Sequence, residues 1–180
     1  MWYKSISNDW TLFLDRDGVI NARNYDGYIT SIGSFSFLPG VKEAIASCTY
    51  LFARIIVVTN QQCVGKGIIS INELNDIHAF MVSEIEKCNG KIDCVFSATS
   101  LKIEDKGDRK PNPYMANLAK SKFPEIDYEK SIMIGDTDSD ILFGKNLGMK
   151  TVLVKSDEIT RINPDDYVNS ILEFAQKIKM

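Results

Sequence analysis

Paired cysteines, clustered histidines and long apolar runs are all missing from this 180-residue sequence. Its four cysteines, Cys48, Cys63, Cys88 and Cys94, form no Cys-x-x-Cys, and no histidine stands near any pair of them. A disulfide framework or a thiolate metal centre is therefore not expected. Cys48 and Cys88 fall on helical patterns and Cys94 on a strand, and all three read as small buried hydrophobes in a reducing compartment. The one histidine, His78, shares an apolar helical stripe with Leu74, Met81 and Ile85, which favours a satisfied helix residue over a catalytic one. No apolar run reaches the ~18 residues of a membrane span, and residues 1–10 lack the basic-then-apolar order of a secretion signal. A cytoplasmic setting without a membrane partner is expected. Basic excess is lacking as well: the net charge is −3, and without a basic stripe a nucleic-acid partner is not expected. An anionic substrate is compatible with this balance if its positive partners are local.

What is present is an ordinary globular composition, 44% hydrophobic and 25% charged. The length is most simply one domain over residues 1–180, expected as a monomer. Short apolar runs alternate with helical patterns. Residues 11–14, 54–59, 92–97, 131–134 and 150–154 read as strands, with Tyr167-Val168 as a last short one. Residues 41–50, 114–122 and 141–146 read as helices, as do the stretches beginning at Ser70 and at Asn169 or Ser170. Ser70 and Glu73 have the spacing of a capping box. The alternation predicts a three-layer α/β/α doubly wound parallel sheet with no large cap domain. Residues 22–38 and 98–108 read as loops, and loops this long in a compact domain are usually functional.

Polar chemistry gathers where the strands end. Thr11–Leu14 stops at Asp15-Arg16-Asp17-Gly18, two carboxylates two residues apart. Taken alone this is an acidic turn, since Asp and Gly are ordinary turn residues. The other strand tips are polar as well: Thr59 and Asn60 end the second strand, and Asp136 and Asp140 follow the Ser131–Ile134 strand. Arg109 and Lys110 precede the Tyr114 helix. In a parallel sheet the tips at Asp15, Thr59 and Asp136 share one edge. Phosphoryl transfer needs such a set: a metal to neutralise phosphate charge, an in-line nucleophile, and donors for the equatorial oxygens. Asp15 with Asp136 suits Mg²⁺. One oxygen of Asp15 is placed to attack phosphorus, Thr59 and Lys110 to donate to phosphate, and Asp17 to protonate the leaving oxygen and later activate water.

On these motifs the chain resembles the haloacid dehalogenase-like (HAD) phosphatases over residues 12–154. Asp15-Arg16-Asp17-Gly18-Val19-Ile20-Asn21, Thr59-Asn60-Gln61 and Arg109-Lys110-Pro111-Asn112-Pro113 resemble its capless branch. That branch acts on D-glycero-D-manno-heptose 1,7-bisphosphate, histidinol phosphate or polynucleotide 3′-phosphate. The resemblance implies Asp15 as nucleophile and Asp17 as general acid/base, with the Asp17 backbone carbonyl also on Mg²⁺. It implies Asp136 as metal ligand, with Asp140 completing the fourth motif behind it. Thr59 and Lys110 would hold the transferring phosphoryl group, and Asn21, Asn60, Gln61 and Arg109 would contact substrate. Tyr28, within residues 25–30, resembles part of the heptose enzyme's substrate loop.

Two departures stand out. The zinc loop usual in this branch has no ligand set here: residues 98–109 contain neither Cys nor His, so no zinc is expected. The usual Ser-Gly after Thr-Asn-Gln is Gln62-Cys63. The expected activity is Mg²⁺-dependent hydrolysis of a small phosphorylated metabolite, first a heptose 1,7-bisphosphate, with histidinol phosphate or another sugar phosphate as the alternative. A phospho-acceptor signalling domain uses similar residues but puts its acceptor Asp on the third strand, which here ends in Ser97.

Overall fold

The computed structural model describes residues 2–104 and 106–179. Its frame is a six-stranded parallel sheet in the order β3-β2-β1-β4-β5-β6, formed by β1 (Thr11–Leu14), β2 (Arg54–Asn60), β3 (Cys94–Ala98), β4 (Ser131–Gly135), β5 (Lys150–Val154) and β6 (Asp166–Val168). The helices are α1 (Val41–Thr49), α2 (Gln62–Gly65), α3 (Ile71–Glu86), α4 (Tyr114–Lys122), α5 (Asp138–Asn146) and α6 (Ile171–Lys177). The doubly wound sheet expected from the alternation is what the chain forms.

Strand alternation sorts the core into two layers. Leu12 and Leu14 face α1, α3 and α6, together with Ile55, Val57, Ile132 and Ile134. Phe13 points the other way, with Ile56, Val58 and Met133, onto Met115 and Ala116 of α4 and Phe143 of α5. β1 is wholly buried, as a central parallel strand covered on both faces must be.

The strand order reverses at β1, whose neighbours are β2 and β4. Leu14 pairs with Val57 on one side and Ile134 on the other. The crevice beyond the carboxyl ends of such strands is where open α/β sheets bind ligands. Between β1 and β2 the chain forms a loop, a short 3-10 helix (Ile32–Ser34) and α1; between β2 and β3 it forms α2 and α3. Neither segment contains a further sheet.

Several boundaries differ from the sequence reading. β3 begins at Cys94 rather than Ile92 because the Asp93 carboxylate accepts the Ile55 N–H at 2.9 Å and pairs with Arg54 at 3.2 Å. α5 begins three residues early, because Thr137 caps it and Asp140 returns the bond to the Thr137 N–H at 3.1 Å. Cys88 lies just past the end of α3. The Ser70–Glu73 capping box and the Ser70 cap are as expected, and Ser170 caps α6.

Candidate active site

Asp15 continues β1 by one residue: its N–H donates to the Ile134 carbonyl at 2.9 Å. That bond fixes its side chain at the switch point, buried, between β2 and β4. Lys110 reaches it from the start of the α4 segment. The Lys110 ammonium is buried and donates to Asp15 Oδ1 at 2.7 Å and to the Val58 carbonyl at 2.7 Å. It also lies 2.6 Å from Asp140 Oδ1, an approach that brings the charges together without a well-directed hydrogen bond. Asn60 holds the backbone of Lys110 at both ends, accepting its N–H at 3.0 Å and donating to its carbonyl at 3.2 Å.

Carboxylate oxygens of Asp15, Asp136 and Asp140 all lie within 4.8 Å of one another. Three buried acids so close carry more negative charge than one lysine balances. Burial, then the repulsion of Asp140 and Asp17, pushes the Asp15 carboxyl upward against the pull of Lys110. Asp136 is pushed up by burial, Asp15 and Asp140 in that order. The donors are hard oxygens, and one carboxylate, Asp140, is already tied to Thr137 and Lys110. Asp15 and Asp136, with the Asp17 carbonyl, fit a small divalent cation that binds through few protein ligands.

Gly18 makes this closeness possible. It sits at φ +90°, and a Cβ there would lie 2.1 Å from Asp136 Oδ2. Any side chain at this position would both strain the backbone and strike the carboxylate.

Asp17 is held differently. The Arg16 guanidinium, fully buried, grips both of its oxygens, at 3.0 and 3.1 Å. Asn21 Nδ2 donates to Oδ1 at 2.9 Å and Gln61 Nε2 to Oδ2 at 2.7 Å. Burial opposes ionisation, but the Arg16 charge and the Asn21, Arg16 and Gln61 hydrogen bonds outweigh it and hold the carboxyl below its ordinary value. Behind Arg16 stands His78, 3.1 Å from Nη1. Arginine has only donors, so His78 Nε2 accepts and the ring is neutral, with its proton on Nδ1. Burial and the Arg16 charge press the His78 pKa down to about 3.

Thr59, next to last in β2, has a buried hydroxyl whose oxygen accepts from Gln61 Nε2 at 2.9 Å. Its hydroxyl hydrogen therefore points elsewhere, free to donate to an anion. The cavity in front of these groups, ≈ 230 Å³, is lined by Asp15, Asp17, Thr59, Asn60, Arg109 and Lys110, and also by Tyr28 and Arg23.

The sequence-predicted residues do not all reach this cavity. Asn21 is fully buried and does not line it; its amide donates to Asp17 and to the Ala22 carbonyl, so it supports Asp17 rather than facing a substrate. Gln61 touches the cavity, yet both amide hydrogens are engaged by Asp17 and Thr59. Arg109 does line it, anchored by Nη1 on the Ser100 carbonyl at 3.1 Å. The described residues of the 98–108 loop are held by hydrogen bonds. Ser100 Oγ and N–H bind the Asp108 carboxylate, and Lys102 N–H donates to Gln62 Oε1 at 3.3 Å. Leu101 is half-buried, whereas Ile103 is 90% exposed.

Sequence reasoning missed Arg23 altogether. Its guanidinium donates to both Asp136 oxygens, at 3.1 and 2.7 Å, and to the Asp17 carbonyl at 3.1 Å. The only signal was a lone basic residue two positions after the motif. Its reach depends on the loop closing on itself through Ala22 N–H to Ser36 O at 2.8 Å, which no local pattern displays.

The chain is similar to proteins already known. A family model described as HAD-hydrolase-like matches residues 108–174. The chain is 36% identical to a D-glycero-alpha-D-manno-heptose-1,7-bisphosphate 7-phosphatase of Burkholderia mallei, over 81% of this chain and 79% of that one. It is 30% identical to the beta-anomer 7-phosphatase of Helicobacter pylori, over 83% and 84%. Among solved structures, the D,D-heptose 1,7-bisphosphate phosphatase of B. bronchiseptica, complexed with magnesium and phosphate, superposes with a TM-score of 0.85 at 23% identity, covering 94% of this chain and 98% of that one. The latter likeness is one of fold.

Proposed function

Because this chain belongs to the D-glycero-manno-heptose-1,7-bisphosphate 7-phosphatase family of HAD-like hydrolases, and is thereby a phosphoric monoester hydrolase, we propose that it removes the C7 phosphate of D-glycero-D-manno-heptose 1,7-bisphosphate through a phospho-aspartate on Asp15, with Mg²⁺. The observation that carries the mechanism is the contrast between the two carboxylates of the first motif. Asp15 has one oxygen engaged by Lys110, while Asp17 has both engaged by Arg16, Asn21 and Gln61. The first is presented as a nucleophile and the second as an oriented acid/base.

Asp15 Oδ2 forms a bond to phosphorus as the bond from phosphorus to the sugar oxygen breaks. Lys110 and the Thr59 hydroxyl hold the phosphoryl oxygens in line. Asp17 gives a proton to the departing sugar oxygen. It acquires that proton as the arriving phosphate adds negative charge beside it and raises its proton affinity. In the second step the ionised Asp17, the form its neighbours favour, takes a proton from water. The water oxygen then bonds to phosphorus, phosphate leaves, and the Asp15 carboxylate is restored. Asp15, Asp136 and the Asp17 carbonyl would hold Mg²⁺, which supplies neutralisation of phosphoryl charge. Arg109, with Asn60 holding Lys110 beside it, faces the part of the substrate that carries the second phosphate.

The test is a panel of heptose 1,7-bisphosphate, a heptose monophosphate and histidinol phosphate with Mg²⁺. The bisphosphate should give the highest kcat/KM and release only its C7 phosphate. Equal turnover of bisphosphate and monophosphate, or a preference for histidinol phosphate, would overturn the substrate assignment and leave the phosphatase chemistry standing.

A further inference from the structure

Arg23 is the one cation in direct contact with Asp136 among the described residues. Its side chain engages that carboxylate through Nε and Nη2 together, and Nη2 reaches the Asp17 carbonyl as well. These are two of the three groups assigned to the metal in the reading above. A carboxylate gripped side-on by guanidinium has its lone pairs directed at N–H groups, and a cation that needs short, well-aligned oxygen contacts competes for the same lone pairs. Positive charges so close also repel.

The arm has somewhere else to go. Its third nitrogen, Nη1, already lies 3.5 Å from Glu158 Oε1. The segment bearing Glu158 is pinned to the site's edge, because the Arg161 and Ile162 N–H groups donate to the Asp138 carboxylate at 2.8 and 3.0 Å. The Arg23 side chain is 24% exposed, and its backbone is fixed by the Ala22–Ser36 bond. Rotation about side-chain bonds therefore suffices to carry the guanidinium from Asp136 to Glu158.

We propose that Arg23 is a resident counter-cation of the metal site: it neutralises Asp136 and hydrogen-bonds the Asp17 carbonyl, yields both when a divalent cation binds, and re-seats on Glu158, so that the Arg23–Glu158 pair sets the protein's affinity for that cation. This rests on the metal site proposed above.

The experiment is a calorimetric titration of the substrate-free protein with Mg²⁺, using wild type, Arg23→Ala, Glu158→Gln and the double variant. Losing a charge-assisted two-point contact as competitor should tighten Mg²⁺ binding by about tenfold or more in Arg23→Ala. Glu158→Gln should weaken it, since the displaced arm loses its second seat, and the double variant should match Arg23→Ala. Equal or weaker binding by Arg23→Ala would overturn the proposal while the metal site stands. Absence of Mg²⁺ binding in both wild type and Arg23→Ala would overturn the metal site and the proposal with it. Should Arg23→Ala fail to fold, the wild-type protein decides: the Arg23 Nε–H resonance, assigned through Arg23→Lys, must shift on saturation with Mg²⁺. An unmoved resonance contradicts displacement.

Discussion

At the scale of the residue, the site sorts its acids by what surrounds them. Asp15 is crowded by burial and by like charge, and Asp17 is relieved by three donors. The same logic reaches His78, which gives Arg16 an acceptor only while it stays neutral. Its ordinary pKa is 6.5 and its folded value about 3. Below pH 6.5 the unfolded chain takes up a proton that the folded chain refuses, so stability falls as pH falls. The loss through His78 is fully developed only near pH 3. Replacing it with Gln keeps an acceptor for Arg16 and removes the titration. Chemical denaturation at pH 7, 6 and 5 should show wild type losing ground to His78→Gln by about 1.4 kcal/mol per pH unit once below pH 6.5. Parallel pH profiles for the two proteins would mean that His78 is not held neutral against Arg16.

At the scale of the element, the informative segment is residues 98–109. It contains neither Cys nor His, and Ser100 and Asp108 are joined across it by hydrogen bonds. Arg109 then hangs on the Ser100 carbonyl. Asp108→Ala should free the loop and with it Arg109, raising KM about tenfold, the worth of a charge-assisted hydrogen bond, while kcat stays within about twofold. Added zinc should not restore it. A fall in kcat at unchanged KM would place Asp108 in the chemistry instead. The element boundaries also show what a sequence displays. The boundaries of β5 and α4 were legible because apolar runs and the Pro113 helix start are local signals. The start of α5 was not, since Asp140 serves at once as capping partner and as site residue, and its second role masks the first. β3 was misplaced by two residues because Asp93, polar beside an apolar run, bonds sideways to β2. Asp15, Asp17, Thr59 and Asp136 were legible as polar residues at strand tips and Lys110 as a basic residue before a helix start, and the structure brings them to one cavity edge. Asn21 was misjudged as facing the substrate because a motif gives position along the chain and not the direction of a side chain. Arg23 was invisible because a fold-back of the loop brings it to Asp136, 113 residues away.

At the scale of the whole molecule, function follows from strand order. The reversal at β1 sets Asp15 between the tips of β2 and β4, so Thr59, Asp136 and, through Asn60, Lys110 converge on it from three parts of the chain. The net charge is −3, and the local cations Arg23, Arg109 and Lys110 line this one mouth beside Asp15, Asp17 and Asp140. No helix among the described residues is long and apolar enough to cross a membrane. In the proposed function all of this architecture serves one event, transfer of a phosphoryl group to Asp15. The most direct measurement is therefore to mix enzyme, Mg²⁺ and heptose 1,7-bisphosphate, quench with acid within the first turnover, and map protein-bound phosphate by mass spectrometry. Wild type should carry it on the peptide containing Asp15. The folded Asp15→Asn variant should carry none and lose turnover by about a thousandfold or more, as removal of a nucleophile does. Phosphate on another residue, or near-native turnover by Asp15→Asn, would contradict the account.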